Sequence, residues 1–121
     1  MIASGVTFEL LQQRFVTGLD RRLSHLSACL EALRGPFDEE CTPVVLDDMM
    51  RGFHNLVGIG GTYGFGKITD VASIGEVACL AVELPVSEPD VTMLDDVLSS
   101  LRSAAAFAAR QTALLESAEP S

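Results

Sequence analysis

The stretch HNLVGIGGTYGFGKI, residues 54–68, gathers a histidine, a threonine, a lysine and five glycines. Two chemistries use such a set. A glycine-rich loop ending in lysine can cradle a nucleotide phosphate with its backbone N–H groups. A histidine can instead carry the phosphoryl group itself, because neutral imidazole is a nucleophile toward phosphorus. The loop reading fails at position 68. Gly61 to Lys67 fits GxxxxGK, but Ile68 stands where Ser or Thr must hold Mg²⁺. The residues before the loop also have the spacing of a helix, where a strand is needed.

The histidine reading has better support. Val45, Leu46, Met49, Phe53, Leu56, Ile59 and Tyr63 form one broad apolar face of a helix. At about 100° per residue this face centres near Leu56, and His54 lies roughly 160° away from it. A core histidine belongs on the apolar face; His54 belongs to solvent. Its neighbours one and two turns away are Met50, Arg51, Val57, Gly58 and Gly61. The glycines leave room for another protein's surface, and exposed Met50 and Val57 are expected to form part of a docking patch. His25 has no such surroundings and reads as a surface histidine without a role.

Four helical segments must position these residues. Phe8, Leu11, Phe15, Leu19, Leu23, Leu26, Leu30 and Leu33 recur in steps of three and four, which predicts a helix over 7–34. Thr7 is its expected N-cap and Gly35-Pro36 its stop, with Gly18 a weak point in the middle. Thr42-Pro43 signals the start of a second helix over 43–63, which dissolves at Gly64 to Gly66. Residues 67–84 are the most apolar stretch. Their length favours a helix packed on several sides over a strand. Pro85 and Pro89 mark a turn before a final amphipathic helix over 90–116, with a frayed tail at 117–121. Four amphipathic helices joined by short connections predict an all-α protein, an antiparallel up-and-down four-helix bundle forming a single domain over 1–121.

The composition narrows the partners. A net charge of −9 repels nucleic-acid backbones and anionic lipid, so neither nucleic acid nor a membrane surface is an expected partner. No stretch approaches the roughly 18 apolar residues of a membrane span, and no secretory segment opens the chain; a cytoplasmic location is expected. Cys29, Cys41 and Cys79 are odd in number and widely spaced. They read as small apolar residues in a reducing compartment, with no disulfide framework and no metal site.

His54, Leu56, Gly58, Gly61, Thr62, Tyr63, Gly64 and Phe65 together resemble the signature of histidine-containing phosphotransfer (HPt) domains, approximately His-x-Leu-Lys-Gly-x-x-Gly-aromatic-Gly-apolar. Ile68, Val71, Ala72 and Ile74 continue it in the family's manner. The resemblance implies a four-helix bundle whose histidine, here His54, takes phosphate from a receiver-domain aspartate and passes it to another receiver. It implies a carrier in a two-component phosphorelay, not an independent enzyme; with no kinase or receiver module within the 121 residues, a free-standing relay protein is expected. Response-regulator receivers would be its partners, with a hybrid histidine kinase a further one, and the chain would be a monomer or weak homodimer. No cofactor of its own is expected; Mg²⁺ would sit on the receiver. Gly58 and Gly61 would clear the approach to His54, while Gly64 and Gly66 break the chain between helices. One departure stands out: Val57 replaces the family's usual lysine. Arg51 and Lys67 are left as sources of electrostatic support, and Glu76 and Glu83 on the next helix add charge of the wrong sign. The alternative is a docking module that binds a receiver or kinase without carrying phosphate. A plain structural or dimerisation bundle is a third reading, supported by the very apolar third helix.

Overall fold

In the computed structural model, which describes residues 2–118 with side chains from 8 to 114, the leucine repeat forms helix α1 (Ile2–Arg34). Phe15, Leu19, Leu23, Leu26, Leu30 and Leu33 are buried along it. The helix starts earlier than its apolar repeat implies. Thr7 lies inside it rather than capping it, and Gly18 does not interrupt it. Phe8 and Leu11, the first apolar residues of the repeat, remain exposed beyond the core.

Helix α2 (Cys41–Thr62) is set by the connector before it. The Asp38 carboxylate accepts from the backbone N–H groups of Glu40 (2.9 Å) and Cys41 (2.7 Å). The Asp38 N–H in turn donates to the Thr42 hydroxyl (2.9 Å). Pro43 falls in the first turn, where its missing N–H leaves nothing unsatisfied. At the other end, the Phe65 N–H bonds to the Gly60 carbonyl (2.8 Å) and the Gly64 N–H to the Gly61 carbonyl (3.3 Å). That pair of bonds is a Schellman stop, and it needs the left-handed Gly64, φ 81°. Gln12 of α1 reaches over and donates to the Tyr63 carbonyl (2.8 Å). Phe15 stacks on Phe65 and tilts against Tyr63.

The apolar stretch forms α3 (Gly66–Ala81). It is a helix, but it is not packed on several sides. Ile68, Val71, Ala72, Gly75, Ala78 and Cys79 are buried, while Ile74, Val77 and Leu80 are 59%, 63% and 68% exposed. The helix ends three residues sooner than expected, because Val82 turns to extended backbone. Helix α4 (Glu88–Ala118) opens on a reciprocal capping box. The Ser87 hydroxyl accepts from the Asp90 N–H, and the Asp90 carboxylate accepts from the Ser87 N–H. The expected frayed tail does not begin at 117, since α4 runs to Ala118; residues 119–121 lie outside the described residues.

Each helix packs on its neighbours in chain order, and α1 closes the ring against α4. Among the described residues no Cα of a helix lies within 8 Å of one on the diagonal helix, and the side chains of all four meet in one core. Short connections between consecutive packed helices give the antiparallel four-helix bundle that the sequence predicts. Among the described residues there is no strand, and no helix is long and apolar enough to cross a membrane.

Candidate functional site

The site begins with a small residue. Gly75 of α3 lies against the fully buried ring of Phe53 on α2, so closely that a Cβ there would sit 2.6 Å from the ring carbons. Gly60 repeats the device further along α2, where a Cβ would lie 2.8 Å from the Thr69 hydroxyl. That hydroxyl donates to the Val57 carbonyl (3.0 Å) and ties the two helices in one register. The residues following each member of the Phe53/Gly75 contact are His54 and Glu76. They meet at the surface.

His54 is 68% exposed, as its place off the apolar face predicts. Its Nδ1 lies 2.7 Å from Oε2 of Glu76, whose side chain is only 23% exposed. An ionised carboxylate can only accept, so Nδ1–H donates, and in the neutral imidazole Nε2 then keeps the lone pair. Glu76 therefore acts on His54 as an orienting partner, where the sequence suggested only a charge of the wrong sign. Glu83 lies beyond the end of α3.

Beside His54 is a shallow depression of about 330 Å³, lined also by Asn55, Gly58, Ile59, Thr62 and Tyr63. Gly58 faces open space, with nothing within 4 Å of where a Cβ would be; a Cβ at Gly61 would meet only the Thr69 hydroxyl, at 3.6 Å. The approach to the imidazole is clear on this side. Met50 and Val57 are half-buried against the core rather than exposed, so the apolar share of the expected docking patch is smaller than the helical angles suggest. The Arg51 guanidinium pairs with Asp47 one turn back (2.9 Å). Lys67 lines the groove between α3 and α4, with Ile74, Met93 and Phe107. Gly64 and Gly66 serve the turn, Gly64 at the stop of α2 and Gly66 as the first residue of α3.

No family model matches the chain, and neither a curated protein nor a solved structure gives a match. Function is read from the side chains themselves.

A second histidine, set aside in the sequence, has company in the fold. His25 Nε2 lies 2.9 Å from Oδ2 of Asp48 on α2. The Cys29 thiol, one turn along α1, is 3.8 Å from the same nitrogen and donates to the same carboxylate oxygen at 3.9 Å. Burial, and then the Asp48 charge, push the Cys29 thiol above its ordinary value. Burial pushes Cys79 further, to about 12, which keeps it an inert thiol. The four-residue step from His25 to Cys29 was a readable signal, because it puts both on one helical face. Asp48 comes from another helix and was not.

Proposed function

We propose that the protein is a cytoplasmic histidine phosphocarrier of a two-component relay, accepting a phosphoryl group on Nε2 of His54 from a receiver-domain aspartate. One observation carries this reading: an exposed imidazole whose Nδ1 is held at 2.7 Å by a three-quarters-buried carboxylate, with open space at Gly58 beside it. In the transfer, the Nε2 lone pair attacks phosphorus and the bond from phosphorus to the aspartyl oxygen breaks. The receiver regains its carboxylate. The positive charge that develops on the imidazole is balanced by Glu76 through the Nδ1–H bond, the same role that an orienting carboxylate plays for other catalytic histidines. Mg²⁺ on the receiver would supply most of the stabilisation of the transferring group, since phosphoryl transfer is chiefly positioning and electrostatics. The onward step to a second receiver is the reverse reaction.

A docking module without phosphate chemistry is the second reading. Val57 in the place of a lysine favours it, as does the engagement of Arg51 with Asp47 away from the imidazole. A time course with a panel of radiolabelled phospho-receivers decides between them, with wild type and His54→Gln in parallel. Acid-labile label reaching wild type within minutes and absent from His54→Gln is the expected result. Binding to a receiver that survives His54→Gln, with no label on either protein, would establish the docking module instead.

A further inference from the structure

The His25, Cys29 and Asp48 cluster lies across the α1–α2 groove, apart from the contact between α2 and α3 that holds His54. It brings one imidazole nitrogen, one thiol and one carboxylate oxygen to a common point from two helices. The separations are 2.9 Å from Nε2 to Oδ2, 3.8 Å from Sγ to Nε2 and 3.9 Å from Sγ to Oδ2. Zinc bonds of about 2.0–2.2 Å to nitrogen and oxygen and about 2.3 Å to sulfur make the edges of a tetrahedron about 3.3–3.6 Å long. The observed triangle departs from that by about half an ångström or less at every edge. His25 and Asp48 are 52% and 54% exposed and can open by that amount, while the thiol beneath them is buried.

We propose that His25, Cys29 and Asp48 form a zinc site that joins α1 to α2. The donor set is the reason for zinc. A thiolate and an imidazole select a borderline metal over Mg²⁺ or Ca²⁺, and the thiolate and carboxylate together neutralise the divalent charge. On binding, the Cys29 thiol gives its proton to solvent. Three protein ligands leave the fourth position to water, on the side of the groove lined by His25 and Asp48. Arg21, Arg22 and Arg51 line the same groove and oppose a cation. The site therefore binds more weakly than a closed four-ligand one.

The position of the cysteines excludes the obvious alternative. Cys79 sits on α3, diagonal to α1, and no described Cα of one helix lies within 8 Å of a Cα of the other, too far for Cys29 and Cys79 to form a disulfide.

The test is titration of the intact, phosphine-reduced chain with Zn²⁺ by calorimetry and with Co²⁺ by absorption. One equivalent is expected to bind. Co²⁺ should show the intense visible bands of a tetrahedral site together with thiolate charge transfer. Asp48→Asn, an exposed change that leaves the core intact, should weaken binding by about tenfold or more. Cys29→Ser should abolish the charge-transfer band, with helicity checked by circular dichroism. His54→Gln should change neither titration. Absence of the thiolate band in wild type, or Zn²⁺ affinity equal in wild type and Asp48→Asn, would overturn the proposal. Loss of binding in His54→Gln would move the metal to the other histidine and overturn it equally.

Discussion

The molecule holds two histidine–carboxylate pairs of nearly the same length, and their surroundings differ. His54 meets Glu76 at 2.7 Å across α2 and α3; His25 meets Asp48 at 2.9 Å across α1 and α2. The carboxylates differ first. Glu76 is three-quarters buried and fixed by the packing of Gly75 on Phe53, whereas Asp48 is half-exposed and free to adjust. The surroundings differ more. Glycines flank His54 and leave its second nitrogen to an incoming group, while a thiol sits beneath His25 and completes a set of donors. A histidine–carboxylate pair says little by itself. On the two proposals above, the third residue type decides whether the imidazole serves as a nucleophile or a ligand.

The contrast breaks most completely at Gly75. Alanine there drives a Cβ into a fully buried ring that has no room to move, so α3 must shift away from α2. Gly75→Ala is expected to cost about 1–3 kcal/mol in urea denaturation. It should also slow label transfer to His54 and leave Zn²⁺ binding at His25 unchanged. Glu76→Gln asks whether the carboxylate orients the imidazole. A glutamine amide can donate to Nδ1 and favour the tautomer whose Nε2 carries the proton, so transfer should fall by about tenfold or more with the fold intact. Asp48→Asn should leave transfer untouched. Equal labelling of wild type and Glu76→Gln would remove Glu76 from the mechanism.

Smaller changes sharpen the difference between the two surroundings. Val57→Arg places a cation one turn from His54. A charge about 4 Å from the phosphoryl group in a water-like medium is worth about 1 kcal/mol, or roughly fivefold faster labelling. Unchanged kinetics would show that the receiver supplies all the needed charge. Gly58→Ala fills open space on a helix and should stabilise the protein by about 0.5–1 kcal/mol. On the proposed function it should also slow transfer severalfold, because the methyl group stands where a receiver would approach. Labelling at the wild-type rate would mean that the partner comes in from elsewhere.

The mildest expected effect concerns α2, which carries one member of each pair. The N–H groups of Cys41 and Glu40 hold the Asp38 carboxyl below its ordinary value of 3.8. Its contribution to stability is therefore complete above that value and lost as pH falls through the lower folded-state value. Wild type should lose thermal stability in acid below about pH 4 more steeply than Asp38→Ala. Parallel curves would show that the connector does not anchor the helix.

The bundle was legible because its signals are local. Leucine spacing, Gly35-Pro36 and Pro43 each act within a turn or two of their own position. The early start of α1 was not legible, since nothing between Ile2 and Thr7 is apolar at the spacing of the core. Ser87 and Asp90 carry a local signal for the start of α4, a Ser-x-x-Asp pattern that encloses Pro89. His54 could be found from its angle on the helix alone. Glu76 could not, because its meeting with His54 depends on the register that Gly75 and Gly60 impose between helices. The outward face of α3 was misread for a related reason. Ile74, Val77 and Leu80 are as apolar as the buried residues beside them, so composition could not tell which side met the core.

The tight stop at Gly64 also has a kinetic consequence. It joins α2 to α3 through three residues, so His54 and Glu76 are only 22 positions apart in the chain, whereas Arg102 and Ser27, which bond across α4 and α1, are 75 apart. Closing the smaller loop costs less chain entropy and can precede the larger closure. The His54–Glu76 contact belongs to a helical hairpin that can assemble from its own neighbours before the contacts of α1 with α4 close.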